Sequence, residues 1–402
     1  MQVFYFSTAL SDAIYDEVVQ QCKRFKPTYS GVGFDRNVAV GLSELADVAG
    51  LSLFPIPSYP KYKHLWQEAR NYEEGRFRCR VPGMLSLPIV KELCFAFNAF
   101  RYVKKMRKAK EKQVVLVSGL YRSLLRPASW LKKRFGMSVV AVVPDLPELM
   151  ITYRKDYSGM RAILNMMDMK CSLHFRKCVD GFVELSRYMN PYVNADGKPF
   201  VIMDGLCNLS VLDGIEATQM PEGRFVLYAG KVSTTFGVDK LVAAFLKADV
   251  RDCSLVICGD GDYTPELRAI SEKNSNIKFL GLQSHEYVVG LEKGATLLVD
   301  PRPSGTEIAK MSFPSKIIEY MASGTPVLVT NIPSFGEEYR EHQYRIEDES
   351  IEGLAASLKV VLALPSKELK AKGVAAREFI LENKTIKHQC EKVLNLTHKL
   401  AK

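Results

Sequence analysis

The fold prediction starts from one stretch of sequence, Met311-Ser-Phe-Pro-Ser-Lys-Ile-Ile-Glu-Tyr-Met-Ala-Ser-Gly-Thr-Pro-Val-Leu-Val-Thr330. Loop, helix, turn and buried strand follow one another within it. Ser312 is a candidate helix cap, and Pro314 has the fixed φ of a first helical position. Gly324 suits the left-handed residue that ends a helix, and the apolar run after Pro326 is typical of a parallel strand. The stretch therefore predicts an α/β crossover.

The start of this helix is suited to an anion. Ser315 and Lys316 put donors in the first turn, where unpaired backbone N–H groups favour negative charge. Glu319 lies one turn further on, where a carboxylate is suited to accept hydrogen bonds from sugar hydroxyl groups. An ordinary α/β crossover that binds no ligand fits the same periodicity.

Residues 314–327, Pro-Ser-Lys-Ile-Ile-Glu-Tyr-Met-Ala-Ser-Gly-Thr-Pro-Val, resemble the donor-site signature of retaining nucleotide-sugar glycosyltransferases of family 4, which have the GT-B fold. The preceding Phe-Pro-Ser-Lys resembles a branch used in surface polysaccharide and glycan assembly. The resemblance covers residues 224–382 well and the first half loosely. It implies that Glu319 binds the donor ribose, and that the helix start at Pro314, Ser315 and Lys316 faces the diphosphate.

Chain length and the resemblance together predict the domain organisation. A chain of 402 residues exceeds the ~250 to 300 at which single cores stop growing, so we expect two domains. The resemblance implies an α/β protein of two Rossmann-like domains whose parallel sheets face across a cleft. We assign residues 1–205 to acceptor binding and 206–382 to nucleotide-sugar binding, and we expect the helix at 383–402 to return to the first domain.

Composition restricts the class of protein. The 47% hydrophobic and 25% charged residues are typical of a soluble globular protein, and no apolar run reaches the ~18 residues of a membrane span. The first residues lack a basic leader and a cleavage site, so we expect a cytoplasmic protein. Nine scattered cysteines without a C-x-x-C motif predict reduced thiols rather than disulfides or zinc.

The net charge of +10 comes from the first half, where residues 1–205 contain 31 Lys and Arg against 19 Asp and Glu. Such an excess indicates nucleic acid, an acidic membrane surface or a solvated basic face. No nucleic-acid-binding motif is recognisable, so we expect no nucleic acid. Residues 88–112 are apolar and then basic, which predicts a helix in peripheral contact with the inner face of the membrane. A surface helix whose basic end interacts favourably with the helix dipole explains the pattern equally well.

Acceptor-side candidates lie in the first half. Residues 26–35 predict a glycine-containing loop before a helix at about 36–48. The resemblance implies that such a loop contacts donor and acceptor, which makes Ser30, Gly31 and Gly33 candidates. An ordinary exposed loop uses glycine in the same way.

Two further acceptor-side candidates follow a predicted buried strand. Asp145 and Glu148 come after residues 138–143, and open parallel sheets bind ligands at the carboxyl ends of their strands. Both carboxylates suit acceptor contacts or proton transfer. The neighbouring prolines also explain the segment as a rigid turn.

Donor-side candidates are spread over the second half. Gly230 lets a ligand approach the backbone, and Lys231 supplies a cation for a diphosphate. The resembled family has a basic residue at Lys231 and usually a second lysine where this chain has Phe236. Leu282 matches a position whose backbone reads the nucleobase in that family. Arg302 suits a bidentate oxyanion contact, although a surface arginine that closes a loop is an alternative.

A second departure from the family concerns the donor sugar. The family often has a glutamate eight residues before the position of Glu319, and this chain has Met311 there. Glu307 lies four residues earlier and replaces that glutamate only if the loop is displaced. The sequence therefore leaves the donor sugar open.

The resemblance implies retaining transfer of a sugar from a nucleoside diphosphate sugar, of UDP or GDP type, to a glycan or lipid-linked acceptor. Lys231, Arg302 and Lys316 would stabilise charge on the leaving diphosphate. No Asp-x-Asp motif and no nucleophilic carboxylate are identifiable, so we expect no metal cofactor and an attack guided by the leaving phosphate.

Other functions remain open at this point. A nucleotide-sugar epimerase is one alternative, because such an enzyme can share the fold. A non-catalytic GT-B partner subunit is another, suggested by the missing lysine and glutamate. A dinucleotide oxidoreductase is disfavoured, because no G-x-G-x-x-G follows the first strand.

Overall fold

The computed structural model describes residues 1–23, 29–146, 160–212, 214–217, 223–250 and 252–401. They divide into two units, Met1–Met203 with Ile386–Lys402, and Asp204–Thr385. Each unit contains a mostly parallel sheet and surrounding helices, which confirms the predicted α/β class. In this part of the chain no helix is both long and apolar enough to cross a membrane.

The described strands are β1 Gln2–Ser7, β2 Asp47–Ser52, β3 Trp66–Gln67, β4 Arg70–Glu74, β5 Phe77–Val81, β6 Met84–Leu85, β7 Gln113–Ser118, β8 Ser138–Val143, β9 Gly181–Glu184, β10 Phe200–Ile202, β11 Arg224–Ala229, β12 Cys253–Cys258, β13 Ile277–Gly281, β14 Leu297–Asp300, β15 Val327–Thr330 and β16 Tyr344–Ile346.

The described α-helices are α1 Asp12–Gln21, α2 Tyr29–Leu45, α3 Val90–Met106, α4 Arg122–Phe135, α5 Met160–Arg176, α6 Asn190–Val193, α7 Leu209–Leu212, α8 Val238–Ala248, α9 Thr264–Lys273, α10 His285–Gly294, α11 Glu307–Met311, α12 Ser315–Ser323, α13 Ile351–Leu362, α14 Ser366–Asn383 and α15 Ile386–Leu400. Short 3-10 helices lie at Arg187–Met189, Thr234–Phe236 and Glu337–His342.

The first unit is built on an eight-stranded sheet in the order β10-β9-β8-β7-β1-β2-β5-β4. Only β4 runs antiparallel, and it pairs with β5. The central strands β1, β7 and β8 are buried along their whole length, which continuous apolar runs such as Val3-Phe4-Tyr5-Phe6 allow.

The second unit is built on a six-stranded parallel sheet in the order β13-β12-β11-β14-β15-β16. One hydrophobic core cluster joins its strands to α8 and α13, with Val226, Leu255, Leu241 and Leu358 all fully buried. The sheet is therefore a rigid base for the loops at its edge.

Both sheets have a topological switch point. The first strand of each unit, β1 or β11, has the next strand in sequence on one side and a later one, β7 or β14, on the other. A crevice forms at such a point outside the carboxyl ends of the strands, where open α/β sheets bind ligands. Candidate sites are therefore expected after β1 and β7, and after β11 and β14.

The predicted loop at residues 26–35 is wrong, and the helix predicted at about 36–48 is present but begins and ends earlier than expected. Helix α2 already begins at Tyr29, so Ser30, Gly31 and Gly33 lie in its first turns, and residues 24–28 lie outside the described part. The helix forms despite its glycines because Val38 and Leu42 are fully buried. It packs against α15, where a Cβ on Gly41 would lie 2.1 Å from a side-chain carbon of Ile386. Tertiary packing outweighs local propensity here.

Gly324 ends α12 in the left-handed region, with φ 85°, and its N–H donates to the Met321 carbonyl. We expect Gly324→Ala to lower the free energy of unfolding by about 1 to 2 kcal/mol, because an L side chain is strained there. The cost is conformational, since the new Cβ would meet Arg377 Cδ at an ordinary 3.6 Å. Urea unfolding measures it against Gly305→Ala, whose Cβ would project into open space. Equal stability of the two variants would contradict this explanation.

Candidate functional site

The carboxyl end of β11 is open because glycines crowd together there. Gly230 has φ 149°, and a Cβ on it would lie 3.3 Å from Lys316 Nζ. A Cβ on Gly259 would lie 1.7 Å from the Gly230 carbonyl oxygen, and one on Gly261 would lie 2.0 Å from that of Val232. The loops after β11 and β12 therefore pack backbone to backbone, which leaves Gly230 accessible to a ligand.

Lys316 points from the start of α12 toward the same place. Its Nζ lies 3.5 Å from Asp300 Oδ1 and 3.9 Å from the ring centroid of Tyr228. Burial lowers the pKa of Lys316 to about 8, although the carboxylate of Asp300 opposes the shift. The amine is therefore mostly protonated at neutral pH. It is a cation with few water contacts, which strengthens its attraction for an anion.

Arg302 adds a second buried cation two residues after β14. No described group accepts a hydrogen bond from its Nε, and its guanidinium carbon lies 4.9 Å from the ring centroid of Phe236. Phe236, which replaces an expected lysine, thus supports Arg302 through a cation–π contact. The guanidinium keeps hydrogen-bonding capacity for an oxyanion.

Lys231, which follows β11, is the third cation at the carboxyl ends of the strands and is exposed. Its own carbonyl accepts a hydrogen bond of 2.8 Å from the Tyr228 hydroxyl group, which fixes the backbone beside Gly230. The pKa of Asp262 is lowered mainly by its hydrogen bond with Ser233 and to a smaller extent by the charge of Lys231.

The start of α12 differs from the expectation in one detail. Pro314 is the cap residue, with ψ 89°, and Ser315 is the first helical residue. No side chain caps the helix, so the prediction of Ser312 as a cap is wrong. The Ser312 carbonyl instead accepts a hydrogen bond of 3.2 Å from the Ser334 hydroxyl group. The first backbone N–H groups of α12 have no side-chain acceptor and remain suited to an anion.

Two side chains on α10 that the sequence analysis missed face Glu319. His285 Nε2 lies 2.9 Å from Glu319 Oε2, and this hydrogen bond raises the pKa of His285. The carboxyl group of Glu292, which is 1% exposed, also faces Glu319, and burial together with this neighbouring carboxylate raises the pKa of Glu292. Nothing in the sequence pattern pairs α10 with α12, and Glu292 stands next to the apolar Leu291 like an ordinary helical residue.

Three further positions concern the nucleobase and the donor sugar. Leu282 follows β13 and is 76% exposed. Met311 is buried. Glu307 is exposed, and its Oε1 lies 3.0 Å from Lys310 Nζ. Among the described residues, no group of three or more His, Cys, Asp or Glu side chains is arranged to hold a metal ion.

The first unit has its own polar cluster at the ends of β1 and β7. The Asp35 carboxylate accepts hydrogen bonds from the Thr8 N–H and hydroxyl groups, both at 2.7 Å, and from the hydroxyl groups of Tyr5 and Ser118. These bonds fix α2 to the sheet. Burial raises the pKa of Asp35.

Asp145 is exposed two residues after β8, and the predicted candidate Glu148 lies outside the described residues.

Comparison with known proteins identifies relatives of this architecture. Residues 216–378 match the family model described as Glycosyl transferases group 1. The "Putative colanic acid biosynthesis glycosyl transferase WcaI" of Escherichia coli (strain K12) is 24% identical over 169 residues, which are 40% of each chain. The chain thus matches less than half of this curated relative.

Solved structures resemble the whole chain. Sucrose-phosphate synthase from Thermosynechococcus elongatus has a TM-score of 0.68 and 15% identity, with 100% of this chain and 99% of that one covered. The trehalose-6-phosphate structure from E. coli bound with UDP-2-fluoro glucose has a TM-score of 0.65 and 9% identity, with both chains fully covered. These neighbours have the GT-B fold, which confirms the predicted fold class.

Proposed function

We propose that the chain as a whole is a retaining glycosyltransferase, a proposal supported by the match of residues 216–378 to the glycosyl transferases group 1 model. The donor is a nucleoside diphosphate sugar of UDP or GDP type. The acceptor is a glycan or a lipid-linked acceptor in surface polysaccharide or glycan biosynthesis, as the resemblance of residues 314–327 to family 4 implies. A UDP donor is supported by the similar E. coli structure, which binds UDP-2-fluoro glucose.

The observation that carries the proposal is the cluster of cations at the switch point of the second unit. Gly230, Lys316 and Arg302 lie at the carboxyl ends of β11 and β14, where α/β sheets bind nucleotides. Glu319 lies one helical turn beyond Lys316. This arrangement suits a diphosphate at the helix start and a ribose at the carboxylate.

The chemistry proposed for these residues is stabilisation of the leaving diphosphate. Lys316, Arg302 and Lys231 place positive charge where negative charge develops as the glycosidic bond breaks. We propose that the leaving phosphate guides the acceptor to the same face of the sugar, so that the configuration is retained without a metal cofactor. A strict requirement for Mg²⁺ or Mn²⁺ would contradict this part of the proposal.

On the acceptor side, we propose that Asp145 contacts the acceptor and accepts its proton, since this exposed residue lies two positions after β8. Ser30 and Gly31, exposed in the first turn of α2, remain acceptor-side candidates beside the less exposed Gly33.

Free nucleoside diphosphate is the product that distinguishes the candidate functions. A transferase releases it from a UDP- or GDP-sugar only when an acceptor is present, and a panel of alkyl glycosides supplies simple acceptors. An epimerase converts the sugar without acceptor and without net release. A non-catalytic partner subunit does neither, and Glu319→Ala and Lys231→Ala would leave its function in cells unchanged.

We also propose a contact with anionic lipid at the cytoplasmic face of a membrane. Helix α3 has Leu93 and Phe97, 44% and 58% exposed, four residues apart, after the 57% exposed Ile89. Arg101 and Lys105 continue the same spacing and are exposed. We call these five residues the α3 row. An apolar start with a basic end suits insertion between acidic headgroups.

The α3 row predicts binding to vesicles that contain phosphatidylglycerol. We expect the double variant Leu93→Ser and Phe97→Ser to reduce co-sedimentation by about tenfold or more, because burying one large apolar side chain is worth about 1.5 to 3 kcal/mol. Val360→Ser is the control, since Val360 is a 66% exposed apolar residue of the second unit. Unchanged binding of the double variant, or equal binding to neutral vesicles, would remove the α3 row from the proposal.

A further inference from the structure

Glu292 is a buried carboxyl group without an evident structural role. It lies on α10 and is 1% exposed. No N–H or O–H group of the described residues donates to its Oε2. An ionised carboxylate in such a position is costly, because burial removes its hydration and nothing replaces it.

The groups that face Glu292 come from two other elements. Helix α12 contributes Glu319, Lys316 and Tyr320, and the end of β12 contributes Cys258. The Tyr320 hydroxyl group donates to the Ala229 carbonyl, and burial raises the pKa of Cys258 to about 12, so both are neutral. Among the residues that the structure describes, only Lys316 favours a negative charge on Glu292, and burial together with Glu319 outweighs it. The pKa of Glu292 is therefore raised well above its ordinary value.

A protonated Glu292 has one strong hydrogen bond to donate, and the carboxylate of Glu319 faces it. His285, at the start of the same helix, lies within 2.9 Å of Glu319 Oε2 and is half exposed. The Glu319 carboxylate is thus held by a buried acid and an imidazole, while about a third of its side chain remains exposed. The exposed part is free to accept hydrogen bonds from a ligand.

We propose that Glu292 and His285 are positioning residues for Glu319, with Glu292 acting as a protonated hydrogen-bond donor that fixes the carboxylate for the two ribose hydroxyl groups of the donor nucleotide. The inference rests on the proposed donor-binding role of Glu319 and extends it to α10. Fixing the carboxylate in advance lowers the entropic cost of binding a diol.

The arrangement makes donor binding depend on one proton. Loss of the Glu292 proton would place two carboxylates side by side, and Glu319 would be pushed away from its partner. Because the folded-state pKa of Glu292 is raised, the native state binds more protons than the unfolded one above the ordinary pKa of a glutamate. The stability contributed by this proton is therefore lost as pH rises toward the folded-state pKa. Glutamine in its place donates a similar hydrogen bond and does not ionise.

The test compares wild type, Glu292→Gln and Glu292→Leu in titrations with UDP and GDP between about pH 6.5 and about pH 9.5. We expect Glu292→Gln to bind like wild type at the lower pH, and Glu292→Leu to bind about tenfold more weakly, since it lacks the hydrogen bond to a charged group. The ratio of the wild-type to the Glu292→Gln dissociation constant should rise with pH by about fivefold or more. The ratio reduces the contribution of the titration of Lys316, which is present in both proteins.

Two further measurements separate positioning from structure. The difference in thermal midpoint between Glu292→Gln and wild type should widen in favour of the variant as pH rises. His285→Gln should retain nucleotide affinity, because its amide can donate from a similar place, whereas His285→Leu should not.

The outcomes are distinct. Nucleotide binding by wild type with a flat ratio across pH, or wild-type affinity in Glu292→Leu, overturns the positioning role and leaves the donor site in place. Absence of binding to any nucleoside diphosphate overturns the donor site and the positioning role together. In that case the pH dependence of the thermal midpoints still shows whether Glu292 holds a proton.

Discussion

Glu319→Ala is expected to weaken binding of the donor nucleotide by about a hundredfold or more. The proposed carboxylate accepts hydrogen bonds from both ribose hydroxyl groups, and a hydrogen bond to a charged group is worth about 1.5 to 3 kcal/mol. Two such bonds correspond to a loss of at least about 3 kcal/mol, and each 1.4 kcal/mol is about tenfold in affinity. Isothermal titration with UDP and GDP measures the effect.

Glu307→Ala is the matched control for this variant. Glu307 is an exposed glutamate in the preceding helix and is paired with Lys310, so its removal should leave nucleotide affinity unchanged. A 2′-deoxy nucleotide adds a second control, because it should bind weakly to wild type and lose little further affinity in Glu319→Ala. Wild-type affinity in Glu319→Ala would show that the ribose binds elsewhere.

Lys316→Met is expected to reduce the rate of sugar transfer by about a hundredfold to a thousandfold. The reason is that a preorganised cation in a water-poor site stabilises the leaving diphosphate more than it stabilises the bound donor. Release of nucleoside diphosphate at saturating donor concentration measures the effect. Lys310→Met is the control, since Lys310 lies nearby on α11 and is more exposed.

A loss of activity in Lys316→Met needs to be separated from a loss of fold. Asp300 is fully buried, and its Oδ2 has no described partner, so removal of Lys316 leaves a buried carboxylate without its nearest cation. Adding Asp300→Asn should restore the thermal midpoint and leave the turnover low. Turnover that recovers together with stability would mean that Lys316 acts only in folding.

The segment around α12 could be predicted from the sequence because its signals are local. The helix Ser315–Ser323 and the strand Val327–Thr330 follow from apolar spacing, the helix-ending Gly324 and the following proline. The start of α2 could not be predicted in this way. Its stability comes from packing against α15, more than 300 residues away in the chain, and the hydrophobic pattern of one helix does not reveal its partner.

The same distinction applies to the candidate site. Lys316 and Glu319 were identified because a single stretch of sequence contains both. His285 and Glu292 were missed, since His285 is 34 residues from Glu319 and meets it only when α10 packs beside α12. Phe236 was interpreted as a missing cation, whereas its ring supports Arg302, a cation from another strand. Which side chains share a site depends on strand order, which residue spacing does not encode.

The proposed function depends most on binding of a nucleoside diphosphate at the carboxyl ends of β11 and β14. Hydrogen–deuterium exchange of the wild-type protein, with and without saturating UDP or GDP, tests this directly. We expect slower exchange in peptides that cover residues 228–237 and 312–323, and little change in the strands of the first unit. No protection with any nucleoside diphosphate, or protection confined to other segments, would contradict the account.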